Sequence, residues 1–155
     1  MIRVELIVRA FEELTVDELY DLLKLRCDVF VVEQACAYAD IDGVDRTAVH
    51  LMLRDGEGLA ACLRVFADGR DPAVAHIGCV VSARRRLGLG TRLLREGLRV
   101  ARERFGAETV ELEAQTWARS FYERQGFVPV SEPFDEDGIE HIRMRLNLKP
   151  READA

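Results

Sequence analysis

The sequence predicts a mixed α/β (α+β) single domain spanning 1–155, with its core at about 2–148. Three observations predict it. The chain has 155 residues, 48% hydrophobic and 32% charged, enough to bury a core without disulfides or a structural metal. Short β-rich segments alternate with amphipathic helical stretches along the chain. A strand, a glycine-containing turn, a helix and a second strand follow one another between 73 and 115.

The elements follow in order. Ile2 to Arg9 is apolar and β-rich, a first strand. Thr15-Val16-Asp17-Glu18 is a capping box in which Thr15 caps and Glu18 reaches back. Leu19, Leu22 and Leu23 then begin a helical stripe that Arg26 to Val29 continue. Residues 33–46 read as an acidic loop without metal, because the acidic residues of Asp40-Ile41-Asp42-Gly43-Val44-Asp45 do not alternate as a calcium loop requires. Val49 to Arg54 and Leu59 to Ala67 form a hairpin turned at Asp55-Gly56-Glu57-Gly58. Ala73 to Val81 is a strand. Gly88 to Phe105 is a helix with Leu94, Leu98, Ala101 and Phe105 on one face. Thr109 to Gln115 is a strand, and Ala118 to Gln125 a short helix stopped by Gly126. Phe127 to Val130 and Ile139 to Leu148 close the sheet.

Several function classes are excluded. No apolar run approaches a membrane span, and the N-terminus lacks a signal peptide's apolar stretch, so a cytoplasmic location is expected with no membrane partner. Cys27, Cys36, Cys62 and Cys79 lack the close spacing of a zinc site and read as reduced thiols, mostly core fillers; no metal is expected. The net charge of −6 argues against nucleic acid. Its distribution says more. Residues 84–104 hold eight arginines against two glutamates, so a +6 segment sits in a chain whose remainder carries −12, and a bound anion is expected there.

That segment opens with Arg85-Arg86-Leu87-Gly88-Leu89-Gly90, between a strand and a helix. Two glycines let the backbone approach a ligand, and the helix start offers unpaired N–H groups suited to phosphate. Cations at a helix N-terminus oppose its dipole, and a bound pyrophosphate reverses that sign. A plain strand-to-helix turn with solvated arginines fits the local residues equally well. The Walker loop is excluded, since Gly90 is followed by Thr91 and Arg92, and the dinucleotide fingerprint has Leu93 at its third small position.

Two further segments carry side chains suited to chemistry. On Thr109 to Gln115, Val110, Leu112 and Ala114 form one face, with Glu111, Glu113 and Gln115 on the other. The polar face is either a cleft lining or the wet side of an edge strand. In Phe121-Tyr122-Glu123-Arg124-Gln125-Gly126-Phe127, a tyrosine of pKa ~10 can hold a proton for a leaving group, or simply pack its ring. His50, His76 and His141 are scattered and read as structural.

Together these segments resemble the GNAT superfamily of N-acetyltransferases. Arg85-x-x-Gly88-x-Gly90 matches its acyl-CoA pyrophosphate loop, and Phe121-Tyr122-Glu123 with Gly126-Phe127 its tyrosine motif. Leu19-Tyr20, Leu25-Arg26, Val29 to Gln34, Tyr38 to Asp45, His50-Leu51, Ala114-Gln115 and Asp137 to Ile142 resemble the ElaA-like branch, so the likeness covers nearly the whole chain. It implies a mixed sheet splayed between two central parallel strands and flanked by helices. It also implies acetyl-CoA as co-substrate. Cys79, Val80 and Val81 then pair with the pantetheine arm; Arg85, Arg86, Leu87, Gly88, Leu89, Gly90 and Thr91 hold the pyrophosphate. Tyr122 faces the thioester sulfur as general acid, and the amine's proton goes to a carboxylate or histidine among Glu113, Glu33 and His141. Two residues depart from the pattern: Cys79 stands where this branch has a larger basic residue, and Arg86 where many members have glycine.

The implied activity is acetyl transfer to a primary amine by direct attack. A non-catalytic acyl-CoA-binding or sensing module on the same fold is the alternative. The acceptor is expected to be a small molecule or peptide amine, cationic before it reacts and drawn in by Glu33, Asp40, Asp42, Asp45, Asp135, Glu136, Asp137 and Glu140. The sequence leaves open which amine it is, and whether the chain forms a homodimer.

Overall fold

The computed structural model describes residues 3–37, 39–83 and 88–148. Eight strands form one mixed sheet: β1 Glu5–Ala10, β2 Val49–Asp55, β3 Gly58–Ala67, β4 Val74–Ser82, β5 Thr109–Gln115, β6 Val128–Pro129, β7 Phe134–Glu136 and β8 Ile139–Asn147. The strand order is β1-β2-β3-β4-β5-β8-β6, with β7 paired to β8. Three α-helices accompany them: α1 Val16–Arg26, α2 Leu89–Phe105 and α3 Arg119–Arg124.

The local signals read from the sequence set several boundaries. Thr15 Oγ1 accepts from the Glu18 N–H at 3.0 Å, and Glu18 Oε1 accepts from the Thr15 N–H at 3.0 Å, the reciprocal pair of a capping box. Gly56 and Glu57 form the two-residue turn between β2 and β3. Gly126 follows α3 at φ 102°, a conformation that favours glycine.

Four expectations are corrected. The first strand is Glu5–Ala10, shifted from the predicted start at residue 2, and Ile2 lies outside the described residues. After Arg26 the α-helix widens into a π-helical segment, Cys27–Glu33. Gln34 N–H donates to the Val29 carbonyl at 2.9 Å, and Cys36 N–H to that of Val31 at 3.2 Å, both five residues back. β7 has no counterpart among the predicted strands; its three residues are held by pairing with β8, a tertiary contact that a short segment does not advertise. Finally, the buried face of α2 centres on Leu93, Leu94, Gly97 and Ala101, while Leu98 and Phe105 pack only at its margin. Gly97 explains the offset. A Cβ there would stand 3.3 Å from Ile77 Cδ1 and from Leu63 Cδ1, so its absence lets α2 lie close on β3 and β4.

The core has two parts. One face of the sheet, with Leu63, Val65, Ile77, Val110, Leu112 and Ala114, packs on α2. The other face, with Ile7, Met52, Cys62 and Val81, packs on Leu22 of α1.

Strand β5 lies between β4 and β8, so its polar face is not the wet side of an edge. β4 and β5 run parallel but pair only through Val74 to His76 with Thr109 to Glu111. Beyond His76 and Glu111 they diverge. The gap between them is the candidate site.

Candidate active site

Divergence leaves the β5-facing backbone edge of β4 without a neighbouring strand from residue 77 onward, in a sheet where such groups otherwise pair. A bulge shapes this edge. Cys62 pairs with Val81 and Arg64 with Gly78, so Leu63 alone stands opposite Cys79 and Val80. Cys79 absorbs the extra residue with φ 52°, a left-handed conformation that costs a non-glycine residue energy.

The N-terminus of α2 points into the same gap. Gly88 caps it at φ 69°, and the next N–H groups have no intrahelical acceptor by virtue of their position. A Cβ on Gly90 would stand 3.4 Å from Phe121 Cζ, so a bare glycine leaves the first turn of α2 close against α3. Gly88, Leu89, Gly90 and Thr91 all line the cleft, as do Cys79, Val80 and Val81. Arg85, Arg86 and Leu87 lie outside the described residues.

The cleft encloses about 1420 Å³. Of the predicted catalytic residues it gathers Tyr122, Glu113 and His141; Glu33 is exposed at the end of the π-helical segment, outside the lining. The Tyr122 ring belongs to the core, edge-on to Phe121 and Phe127. Packing and cleft lining are therefore both true of it. Burial pushes its hydroxyl up to about 12, so it stays protonated at neutral pH.

Opposite, the polar faces of β5 and β8 meet in register. Glu113 stands across from Arg143, their side chains 3.6 Å apart, and Gln115 across from His141. His141 Nδ1 lies 2.8 Å from the Ile139 carbonyl, which only accepts, so Nδ1 carries the proton. Its Nε2 is then directed at Glu136 Oε2, 3.7 Å away. Burial, then the neighbouring Glu113, raises the Glu136 carboxyl above its usual range.

Three features owe their partners to tertiary contacts. First, Gln34 and Gln115 exchange two amide hydrogen bonds, 3.1 and 2.9 Å, tying the end of the π-helical segment to β5, while Trp117 Nε1 also donates to Gln115. Second, His76 is held by Asp68 Oδ1 at 2.7 Å and stacks on Phe66 at the point where the strands part. The His76 bond, with the Asp71 and Arg70 N–H groups, holds the Asp68 carboxyl well below the usual range. Third, the expected acidic loop is largely neutralised. Arg26 bonds Asp45 at 2.8 Å and Asp40 at 3.1 Å; Arg64 bonds Asp42 at 2.7 Å and Asp45 at 2.9 Å. Asp40 and Asp45 are buried, so this segment is not the free negative surface anticipated. The partner arginines come from α1 and β3, and no spacing signal links them to the loop. Among the described residues, no three His, Cys, Asp or Glu side chains form a group able to hold a metal ion. No helix among them is long and apolar enough to cross a membrane.

A family model for the acetyltransferase (GNAT) domain matches residues 18–148, a span that takes in every wall of this cleft. The chain belongs to the GNAT acetyltransferase family. Within it, the chain is ElaA-like. Protein ElaA of Escherichia coli is 40% identical over 136 residues, covering 85% of this chain and 89% of that protein. A UPF0039 protein of Schizosaccharomyces pombe is 38% identical over 152 residues, covering 96% and 100%. The crystal structure of E. coli ElaA superposes with a TM-score of 0.87 at 37% identity, covering 94% of this chain and all of that one. An acyl-CoA N-acyltransferase from Pseudomonas aeruginosa gives a TM-score of 0.85 at 39% identity, covering 93% and 99%. The splayed GNAT sheet expected from the sequence is thus the fold observed.

Proposed function

We propose that the protein transfers an acetyl group from acetyl-CoA to a primary amine by direct attack, without a covalent enzyme intermediate. The observation that carries this reading is the parting of β4 and β5 beyond His76 and Glu111, beside the N-terminus of α2. The open edge at Cys79, Val80 and Val81 offers backbone partners to the amide-bearing pantetheine arm. The first turn of α2, from Gly88 to Thr91, offers N–H groups and a positive dipole end to the pyrophosphate. These two features support a thioester held between the strands, near Tyr122, which lines the same cleft.

The chemistry then divides across the cleft. The amine attacks the thioester carbonyl, and cleft N–H groups stabilise the oxyanion. The carbon–sulfur bond breaks, and Tyr122 protonates the departing thiolate. The proton-accepting side is the acidic wall that Glu113 and His141 help to line. The acceptor is cationic before reaction, since Glu113, Glu136 and Asp137 line the opposite side of the cleft from α3.

The test is a screen of amine classes with acetyl-CoA, reading release of free thiol. Amine-dependent release, strongest for cationic acceptors at low salt, is the expected result. No release with any class, together with tight acetyl-CoA binding, would instead favour a non-catalytic binding module.

A further inference from the structure

The sequence singled out Glu113, Glu33 and His141 as proton acceptors; the structure adds another cleft carboxylate, Glu136, beside Glu113 and His141. Glu136 ends β7, the strand absent from the sequence reading, and lines the cleft. Its carboxyl neighbours that of Glu113 on β5, near enough for the like charge to raise it. On its other side is His141 of β8, with Nε2 at 3.7 Å from Oε2. The geometry points to Glu136 as the residue that takes the proton of the incoming ammonium, with Glu113 and His141 as positioning residues. This rests on the acyl-transfer reading of the cleft.

Two neighbouring carboxylates repel each other when both are ionised. A cation or a proton between them relieves the repulsion. The surrounding charges leave that need in place. Arg143 of β8 stands 3.6 Å from Glu113, but half of its side chain is in solvent, which weakens its hold. Asp135 and Asp137, on the same hairpin as Glu136, add negative charge. The Cys36 thiol, which donates to the Asp137 carbonyl at 3.0 Å, is neutral: burial, then Asp137 and Asp135, pushes it up. The site therefore attracts an ammonium and presents it with a carboxylate more basic than an isolated one.

The proton path balances. The ammonium N–H bond breaks, its proton passes to Glu136, and the neutral amine forms the new C–N bond as the C–S bond breaks. His141 Nε2 faces Glu136, while Nδ1–H is committed to the Ile139 carbonyl. At 3.7 Å, a water or a small rotation lets the proton pass on to His141 and out to solvent. A second proton leaves the nitrogen of the tetrahedral adduct and replaces the one that Tyr122 gives the thiolate.

Glu136→Gln, Glu113→Gln and wild type distinguish this scheme. Glu136 is exposed, so its amide variant should keep its melting temperature and acetyl-CoA affinity. Its kcat should fall roughly 10²–10⁴-fold, and the acid limb of its kcat profile should vanish. In Glu113→Gln the limb should move to lower pH, because the like charge is gone; a merely structural role would lower kcat without moving it. Carbon-detected NMR of the free protein reads the pair without substrate, and the Glu136 carboxyl should titrate lower in Glu113→Gln than in wild type. A Glu136→Gln enzyme within about threefold of wild type, or a Glu136 titration indifferent to Glu113, overturns the role of Glu136 while leaving acyl transfer standing. Failure of the wild-type protein to acetylate any amine overturns both.

Discussion

Tyr122 stands edge-on to Phe127, ring centroids 5.9 Å apart and planes at 78°, so the aromatic ring belongs to the core even though the residue lines the cleft. Replacement by phenylalanine keeps the ring and removes only the hydroxyl. Tyr122→Phe should fold and bind acetyl-CoA normally. Its kcat should fall roughly 10²–10⁴-fold with KM little changed, because thiolate charge develops only in the transition state. With chemistry rate-limiting, a kcat within about threefold of wild type, well short of that range, would remove Tyr122 from the acid role.

Gly90 divides packing from binding. A Cβ meets Phe121 at 3.4 Å, an ordinary contact, so Gly90→Ala should fold. Gly90→Trp adds a bulky ring at the first turn of α2, the proposed pyrophosphate site. Calorimetry should show Gly90→Trp losing acetyl-CoA binding, whereas Gly90→Ala keeps most of it. Equal affinity in both variants and wild type would move the cofactor elsewhere.

Trp117 is the sole tryptophan, three-quarters exposed at the cleft and donating to Gln115. Its emission should change on titration with CoA. A flat titration at CoA concentrations that calorimetry shows to be saturating would place the bound CoA away from Gln115 and Trp117.

Asp45 accepts hydrogen bonds from both Arg26 and Arg64 in a buried setting. Burial works to raise its carboxyl, but the two arginines outweigh that and hold it below the usual range; Asp42 is lowered chiefly by Arg64. A depressed folded value means stability that is present above the ordinary value of 3.8 and lost as pH falls through the lower folded one. His50, lowered by burial, adds an earlier loss that begins as pH drops below 6.5. Melting temperature should therefore decline gently below pH 6.5 and steeply below 3.8. Asp45→Asn should cost about 3–5 kcal/mol at neutral pH, since it leaves buried arginines undercompensated. A cost under about 1 kcal/mol, the scale of a surface pair, would contradict the network's role.

Acceptor preference tests the acidic wall. At low salt, cationic diamines should be acetylated more efficiently than acceptors bearing a carboxylate, and added salt should narrow the gap through KM. A preference for carboxylate-bearing acceptors would mean that Glu113 and Glu136 do not face the acceptor.

By itself the sequence determined what local chemistry encodes. The Thr15 cap, the Gly56 turn, the Gly126 stop and the alternation of Val110, Leu112 and Ala114 are signals within a few residues, and each is where it was read. The Arg85-x-x-Gly88-x-Gly90 and Tyr122 motifs were legible for the same reason, and with them the family. Tertiary structure alone decided the rest. Whether the polar face of β5 was an edge or a cleft depended on its neighbours β4 and β8, which are distant in sequence. The acidic loop lost its free charge to Arg26 and Arg64, brought to it by helix and strand packing. Glu136 became a candidate only because β7 pairs with β8, setting three titratable side chains from separate strands around one opening. Contacts of that range leave no periodicity in the chain, because the fold, and not the spacing, brings them together.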